Sequence, residues 1–156
     1  MPRSSAEDAC LACLVRWCAL WMLGYPEAAL ADAEQALSDA REIGQAATLM
    51  YALFFTSLTL ICSRNYATAT TQSDELFALA EEKGALFWKA PGMMNQGSIL
   101  ALTGKPSDAV QKIAACMSAW RSSGATLLLT LYLSCLARAH ANSANLMMLG
   151  AALAKR

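Results

Sequence analysis

The stretch Gly84-Ala85-Leu86-Phe87-Trp88, followed by an apolar run to Leu102, then Thr103-Gly104-Lys105-Pro106 and an amphipathic run to Ser123 ahead of Gly124, decides the fold. It is one copy of a unit that returns every forty residues. Gly44, Gly84 and Gly124 hold one position, Gly24, Arg64 and Gly104 a second, and Ala29, Ala69 and Ala109 a third. Self-similarity at a fixed period of roughly 20–50 residues marks stacked units, each unable to bury its apolar face alone.

Outward from that copy, each unit reads as two helices. Gly24-Tyr25-Pro26-Glu27 is a turn and a helix start, because proline is tolerated in a first helical turn, where its missing N–H would have no partner. That helix ends at Gly44, a residue able to take a left-handed C-cap. The first helix of the second unit spans about 46–62 and the second about 66–82. The third unit gives 86–102 and 107–122, and a further helix follows over about 126–141. No segment alternates with a period of two. The units are 9–44, 45–84, 85–124 and a partial 125–141, flanked by a polar, frayed 1–8 and by 142–156, read as a short capping helix or a truncated repeat.

The second helix of each unit carries one apolar stripe at offsets i, i+4, i+7, i+8 and i+11: Ala29, Ala33, Ala36, Leu37, Ala40; Ala69, Ser73, Leu76, Phe77, Ala80; Ala109, Ile113, Cys116, Met117, Trp120. The first helices are apolar almost all round, as expected of elements between neighbours. Ser57, Gly97 and Ala137 form a small-residue column on them, with Ala69 and Ala109 twelve residues after the first two. This predicts a small-to-small crossing within each hairpin. Trp17 stands in that column in the first unit and puts a close crossing there in doubt.

The alanine column and trailing apolar residues resemble the tetratricopeptide repeat, lengthened from its usual thirty-four residues to forty. The fold class expected is therefore all-α, a right-handed α-solenoid of about three and a half helical hairpins. A narrower resemblance rests on Leu23-Gly24-Tyr25-Pro26-Glu27-Ala28-Ala29-Leu30-Ala31, Tyr51-Ala52-Leu53-Phe54-Phe55, Leu102-Thr103-Gly104-Lys105 and Ala119-Trp120-Arg121-Ser122-Ser123-Gly124-Ala125. These resemble the C-terminal array of large bacterial signalling proteins, common in rhizobia. Those proteins join a class III adenylate/guanylate cyclase or a winged-helix domain to a P-loop ATPase. The resemblance covers about 9–141 and implies an array that senses or binds a regulator while chemistry resides elsewhere.

Neither parent chemistry is written in this chain. A class III cyclase needs two metal-binding aspartates on a sheet, and no strand is predicted. Gly97 to Gly104-Lys105 misses the P-loop pattern, with glycines seven apart and Pro106 in place of Ser/Thr, so it reads as an inter-helix turn.

Composition narrows the partners. Lys plus Arg and Asp plus Glu are twelve each, so no basic field exists to attract nucleic acid. Charged residues are 15% and mean hydropathy is +0.34, which raises the membrane question. Ile43 to Ser63 carries no charge, yet its counterpart 83–103 contains Lys89, Pro91, Asn95 and Gln96, and equivalent copies share one environment. An inner helix is the expectation. The opening Met1-Pro2-Arg3-Ser4-Ser5-Ala6-Glu7-Asp8 lacks a signal-peptide pattern, and a cytoplasmic location is expected.

Candidate chemistry is thin. Cys10 and Cys13 have C-x-x-C spacing but no second pair or nearby histidine, so the six cysteines read as reduced thiols and no metal or cofactor is expected. His140, the one histidine, lies in the column of Leu20, Leu60 and Leu100 and reads as structural. Asp74-Glu75 and Glu81-Glu82-Lys83 read as solvated surface, and Trp17, Trp21, Trp88 and Trp120 as core. In a tetratricopeptide-like array the first helices line a groove, here Tyr51, Phe54, Leu58, Met94, Asn95, Ser98, Leu131, Ser134 and Arg138, with Gln96 nearby. The expected function is a non-catalytic interaction or regulatory module taking a hydrophobic protein or peptide, or other domains of a parent protein. Self-association through apolar ends is a further expectation. The alternatives are a small multi-helix membrane protein and a tail contributing to nucleotide cyclase activity.

Overall fold

A computed structural model describes residues 5–122 and 129–153, with side chains described at 12, 15–118, 120, 121 and 129–144. Among the described residues the chain is all-helical, with no strand: α1 (Ser5–Met22), α2 (Pro26–Ile43), α3 (Ala46–Cys62), α4 (Tyr66–Glu82), α5 (Leu86–Leu102), α6 (Pro106–Ser122) and α7 (Leu129–Leu153). The starts of α2, α4 and α6 are forty residues apart, as are those of α3 and α5. None of these helices is long and apolar enough to cross a membrane.

The period is enforced at the turns. Tyr25, Asn65 and Lys105 each donate their amide N–H to a carbonyl five residues back, on Leu20, Leu60 and Leu100, at 2.9, 2.9 and 3.0 Å. This closure satisfies a terminal carbonyl and requires a left-handed residue inside the loop. Gly24, Arg64 and Gly104 supply it with φ of 87°, 61° and 86°. Gly44 caps α2 in the same conformation, its N–H on the Ala40 carbonyl. Gly124 lies outside the described residues.

Two sequence expectations need correction. The polar start is helical from Ser5, where α1 begins. At the other end α7 runs unbroken through Asn142-Ser143-Ala144-Asn145, where a boundary was expected. Asn142, Ser143 and Asn145 are weak helix formers, each costing about 0.5–0.7 kcal/mol relative to alanine, but none is a breaker, and Gly150 costs only about 1 kcal/mol.

The chain packs as two compact units, residues 1–92 and 93–156, divided within α5 directly after Pro91-Gly92. In the first unit α1 packs on α2, α2 on α3 and α3 on α4. The α2 stripe Ala29, Ala33, Ala36, Leu37 and Ala40 is buried, and α3 is buried on nearly every side. Its polar side chains stay inside because each hydroxyl finds a carbonyl: Thr56 donates to Ala33 at 2.9 Å, Ser57 to Phe54 and Thr59 to Phe55. In the second unit Ala109, Ile113, Cys116, Met117 and Trp120 of α6 are buried. Ala101, Ala109 and Ala139 form a core cluster with Leu100 and Val110.

In the hairpin of α5 and α6 the crossing is not small against small. A Cβ on Gly97 would lie 2.5 Å from Ile113 Cγ1, so the glycine faces a large side chain sixteen residues on. Shifted by forty, the same pair is Ser57 with Ser73 and then Trp17 with Ala33, all buried. By this register large Trp17 corresponds to small Ala33 and small Gly97 to large Ile113, while Ser57 and Ser73 are both small. A polar pair obeys the same shift. Arg16 makes a bidentate ion pair with Asp32, and Lys112 donates to Gln96 at 2.7 Å. The middle copy is Thr56 with Gln72, and there the pairing fails because Thr56 donates to Ala33. Gln72 Oε1 is buried with no hydrogen-bond partner among the described residues.

Candidate functional site

The first unit carries a continuous row of rings on α1, α3 and α5. Phe55 lies 6.0 Å from Trp17 and 4.7 Å from Tyr51, between ring centroids. Tyr51 meets Trp88 edge-on at 5.7 Å, Phe54 meets Phe55 at 4.9 Å and Trp88 at 6.1 Å, and Phe87 meets Trp88 at 5.3 Å. Positions 51, 54 and 55 share one side of α3 at offsets of three and four. The tilted and edge-to-face contacts are those favoured by aromatic quadrupoles, so the rings hold one another in place.

Exposure grades along the row. Trp17 and Phe54 are buried, Tyr51, Phe55 and Trp88 are half-buried, and Phe87 is 48% exposed beside exposed Leu86. The neighbouring cation is already engaged: Lys89 Nζ lies 2.6 Å from Glu81 Oε1 and 5.2 Å from the Phe77 ring centroid. The row therefore offers apolar surface that is rigid and partly wet. Such a surface suits an apolar side chain laid across ring faces.

The nine groove residues do not share one exposed surface. Tyr51 is half-buried and belongs to the ring row. Phe54, Leu58, Met94, Asn95 and Ser98 are buried, which corrects the expectation that they line a groove. They sit on the sides of α3 and α5 that pack against neighbouring helices within their own units. Asn95 Oδ1 accepts from the buried Tyr132 hydroxyl at 2.9 Å, and Ser98 donates to the Met94 carbonyl. Leu131 is half-buried and Ser134 and Arg138 are exposed, all on α7. Gln96 is half-buried and holds Lys112.

The other candidates resolve individually. His140 is exposed on α7, although its column mates Leu20, Leu60 and Leu100 are half-buried or buried. Trp17 and Trp120 are core, while Trp21 and Trp88 are half-buried. Glu75 receives Arg41 at 2.8 Å, and Glu82 pairs with Lys83, so these acids are surface partners. The side chains of Cys10 and Cys13 lie outside the described residues. Cys18, Cys62, Cys116 and Cys135 are in no disulfide, and no cluster of three or more His, Cys, Asp or Glu able to hold a metal occurs among the described residues.

Titratable groups follow their surroundings. A hydrogen bond from Arg16 is the main cause holding the Asp32 carboxyl below its usual range, against a smaller opposing effect of burial. Burial pushes the Cys116 thiol up to about 11, which leaves little nucleophilic thiolate at neutral pH. Burial also pushes the Tyr132 phenol well above its usual value.

Helical spacing assigns aromatics to the core and so does not single out Trp17, Phe55, Phe87 and Trp88 as site residues. One signal was available. Adjacent Phe54 and Phe55 point about 100° apart on a helix, so one neighbour cannot bury both. No family model, no curated protein and no solved structure matches the chain.

Proposed function

We propose that the chain is a tetratricopeptide-like, right-handed helical-repeat module that binds an apolar segment of a protein partner across the ring row of its first unit. The observation that carries the proposal is the graded exposure from Trp17 through Phe55, Tyr51 and Trp88 to Phe87, an aromatic surface fixed in the fold and left partly open. Large rigid rings lose little entropy on binding and dominate interface energetics, which favours a peptide with two or more apolar anchors. The equal numbers of acidic and basic residues support a partner recognised by shape and apolar contact rather than by charge. The module acts without chemistry of its own. Its resemblance to the arrays of bacterial cyclase and ATPase proteins favours a regulatory role in the cytoplasm.

The test is selection from a displayed random-peptide library on the full chain, with each selected peptide titrated by tryptophan fluorescence. Selected peptides are expected to carry apolar residues three or four apart, and Phe87→Ala to weaken their binding at least about tenfold, or about 1.4 kcal/mol. Phe87 is exposed enough for the substitution to spare the fold, which circular dichroism checks. Peptides that bind Phe87→Ala and Tyr51→Ser variants as tightly as the parent would overturn the assignment.

A further inference from the structure

The turn between α1 and α2 keeps the geometry of its equivalents and departs from them in chemistry. Met22, Leu23 and Tyr25 are exposed at 82%, 71% and 59%, with half-buried Trp21 ahead of them. No charged residue occurs from Trp17 to Pro26. The equivalent turns hold Cys62, Ser63 and Asn65, with Arg64 between, and Leu102, Thr103 and Lys105. Cys62, Ser63 and Asn65 are exposed even though α3, which leads into their turn, packs on α2 of the hairpin before it. A hairpin stacked in the same way against α1 would leave Met22, Leu23 and Tyr25 open, so their exposure belongs to their place in the unit.

The backbone of this tip is closed on itself. The amides of Leu23, Gly24 and Tyr25 donate to the carbonyls of Ala19, Trp21 and Leu20 at 3.0, 3.1 and 2.9 Å. Pro26 has no N–H to satisfy. Four consecutive residues thus bring no unpaired amide to the surface, and Gly24, at a φ of 87°, puts no side chain between Leu23 and Tyr25. A segment that enters a medium poor in water needs its backbone donors satisfied internally. Tyrosine and tryptophan, each an apolar ring with one polar group, concentrate where lipid chains meet headgroups.

We propose that this tip is a membrane-contact site, at which Met22, Leu23 and Tyr25 enter the interfacial layer of a lipid bilayer. Attachment is peripheral, since none of the described helices is long and apolar enough to cross. Exposed Glu27, directly after Pro26, stays in water and limits entry to the tip. The turn stands at the end of a hairpin, and a fluid lipid surface closes around such a protrusion without a preformed pocket. With no basic residue in the stretch, contact does not depend on lipid charge. Three side chains bury little apolar area, so attachment is weak and reversible. The site shares no residue with the ring row.

The experiment is cosedimentation of the full chain with phosphatidylcholine vesicles up to about 5 mM lipid, a range suited to reversible attachment. The parent is expected to bind, with a partition coefficient that changes less than about twofold between about 0.05 and 0.5 M salt. Leu23→Asp and Tyr25→Ser are each expected to lower it, Leu23→Asp at least about tenfold, with unchanged circular dichroism. Both positions are exposed, and serine is a favoured residue at the N-cap that Tyr25 occupies. Phe87→Ala, in the ring row, is expected to bind vesicles as the parent does. A parent that stays in solution at the highest lipid concentration overturns the proposal. So does a Leu23→Asp variant that still binds, attachment lost in high salt, or attachment lost with Phe87→Ala. Self-association of the parent without lipid, abolished by Leu23→Asp, would give the tip to a second copy and overturn it as well.

Discussion

Arg64 adopts a φ of 61° at the position where the neighbouring units have glycine. A side chain in the left-handed region costs about 1–2 kcal/mol, because its Cβ approaches the following carbonyl oxygen. The amide of Asn65 nonetheless reaches the Leu60 carbonyl at 2.9 Å, so the turn geometry of the repeat prevails over the residue's preference. Arg64→Gly relieves the strain and loses part of the gain to a freer unfolded chain. The expected net stabilisation is about 0.5–1 kcal/mol, a rise in Tm of roughly 1–3 °C. Arg64→Ala keeps the Cβ and should leave Tm within about 1 °C of the parent. Thermal unfolding followed by circular dichroism separates the two, and a Tm unchanged by Arg64→Gly would remove the argument from strain. Gln72 shows the same subordination, since its partner position holds Thr56, which serves a carbonyl of the preceding hairpin.

At the scale of helices, boundaries were legible and contacts were not, for a physical reason. Gly24, Gly44, Gly84, Gly104, Pro26 and Pro106 act on their own backbone, so the ends of α2 to α6 can be read from local chemistry. Which residues cross depends on two helices folding back about a turn. With Gly104 at the centre of that turn, Gly97 lies level with residues 111–113 rather than Ala109, and the structure puts Ile113 there. The spacing of twelve that suggested a small-to-small crossing measured distance along the chain without that reversal. The groove expectation failed through the same step. It took Phe54 and Leu58 as open positions, whereas the half-buried side of α3 runs through Thr48, Tyr51 and Phe55. The crossing itself can be tested by a double-mutant cycle. Gly97→Ala gains about 1 kcal/mol of helix propensity but meets Ile113, and a net loss of about 1–2 kcal/mol is expected. Ile113→Ala alone should cost about 2–5 kcal/mol, and the double variant less than the sum by at least about 1 kcal/mol. Strict additivity in urea unfolding would mean that the two side chains do not share a space.

At the scale of the molecule, one unit of forty residues accounts for the turns and for the buried stripes of α2, α4 and α6. The ring row belongs to this level too, because it draws on three successive first helices, and no single helix announces it in sequence. On the proposed reading as a stacked array, stability is close to a sum of unit and neighbour contributions, so a whole additional unit is tolerated while a fraction of one breaks every following contact. The most direct measurement therefore inserts a second copy of residues 45–84 after Gly84 and compares it with the same insertion shortened to thirty-four residues. Circular dichroism and thermal unfolding should show undiminished helicity per residue and a Tm at or above the parent's for the forty-residue insertion. The shortened one should lose cooperative unfolding. Equal behaviour of the two insertions would contradict the forty-residue unit.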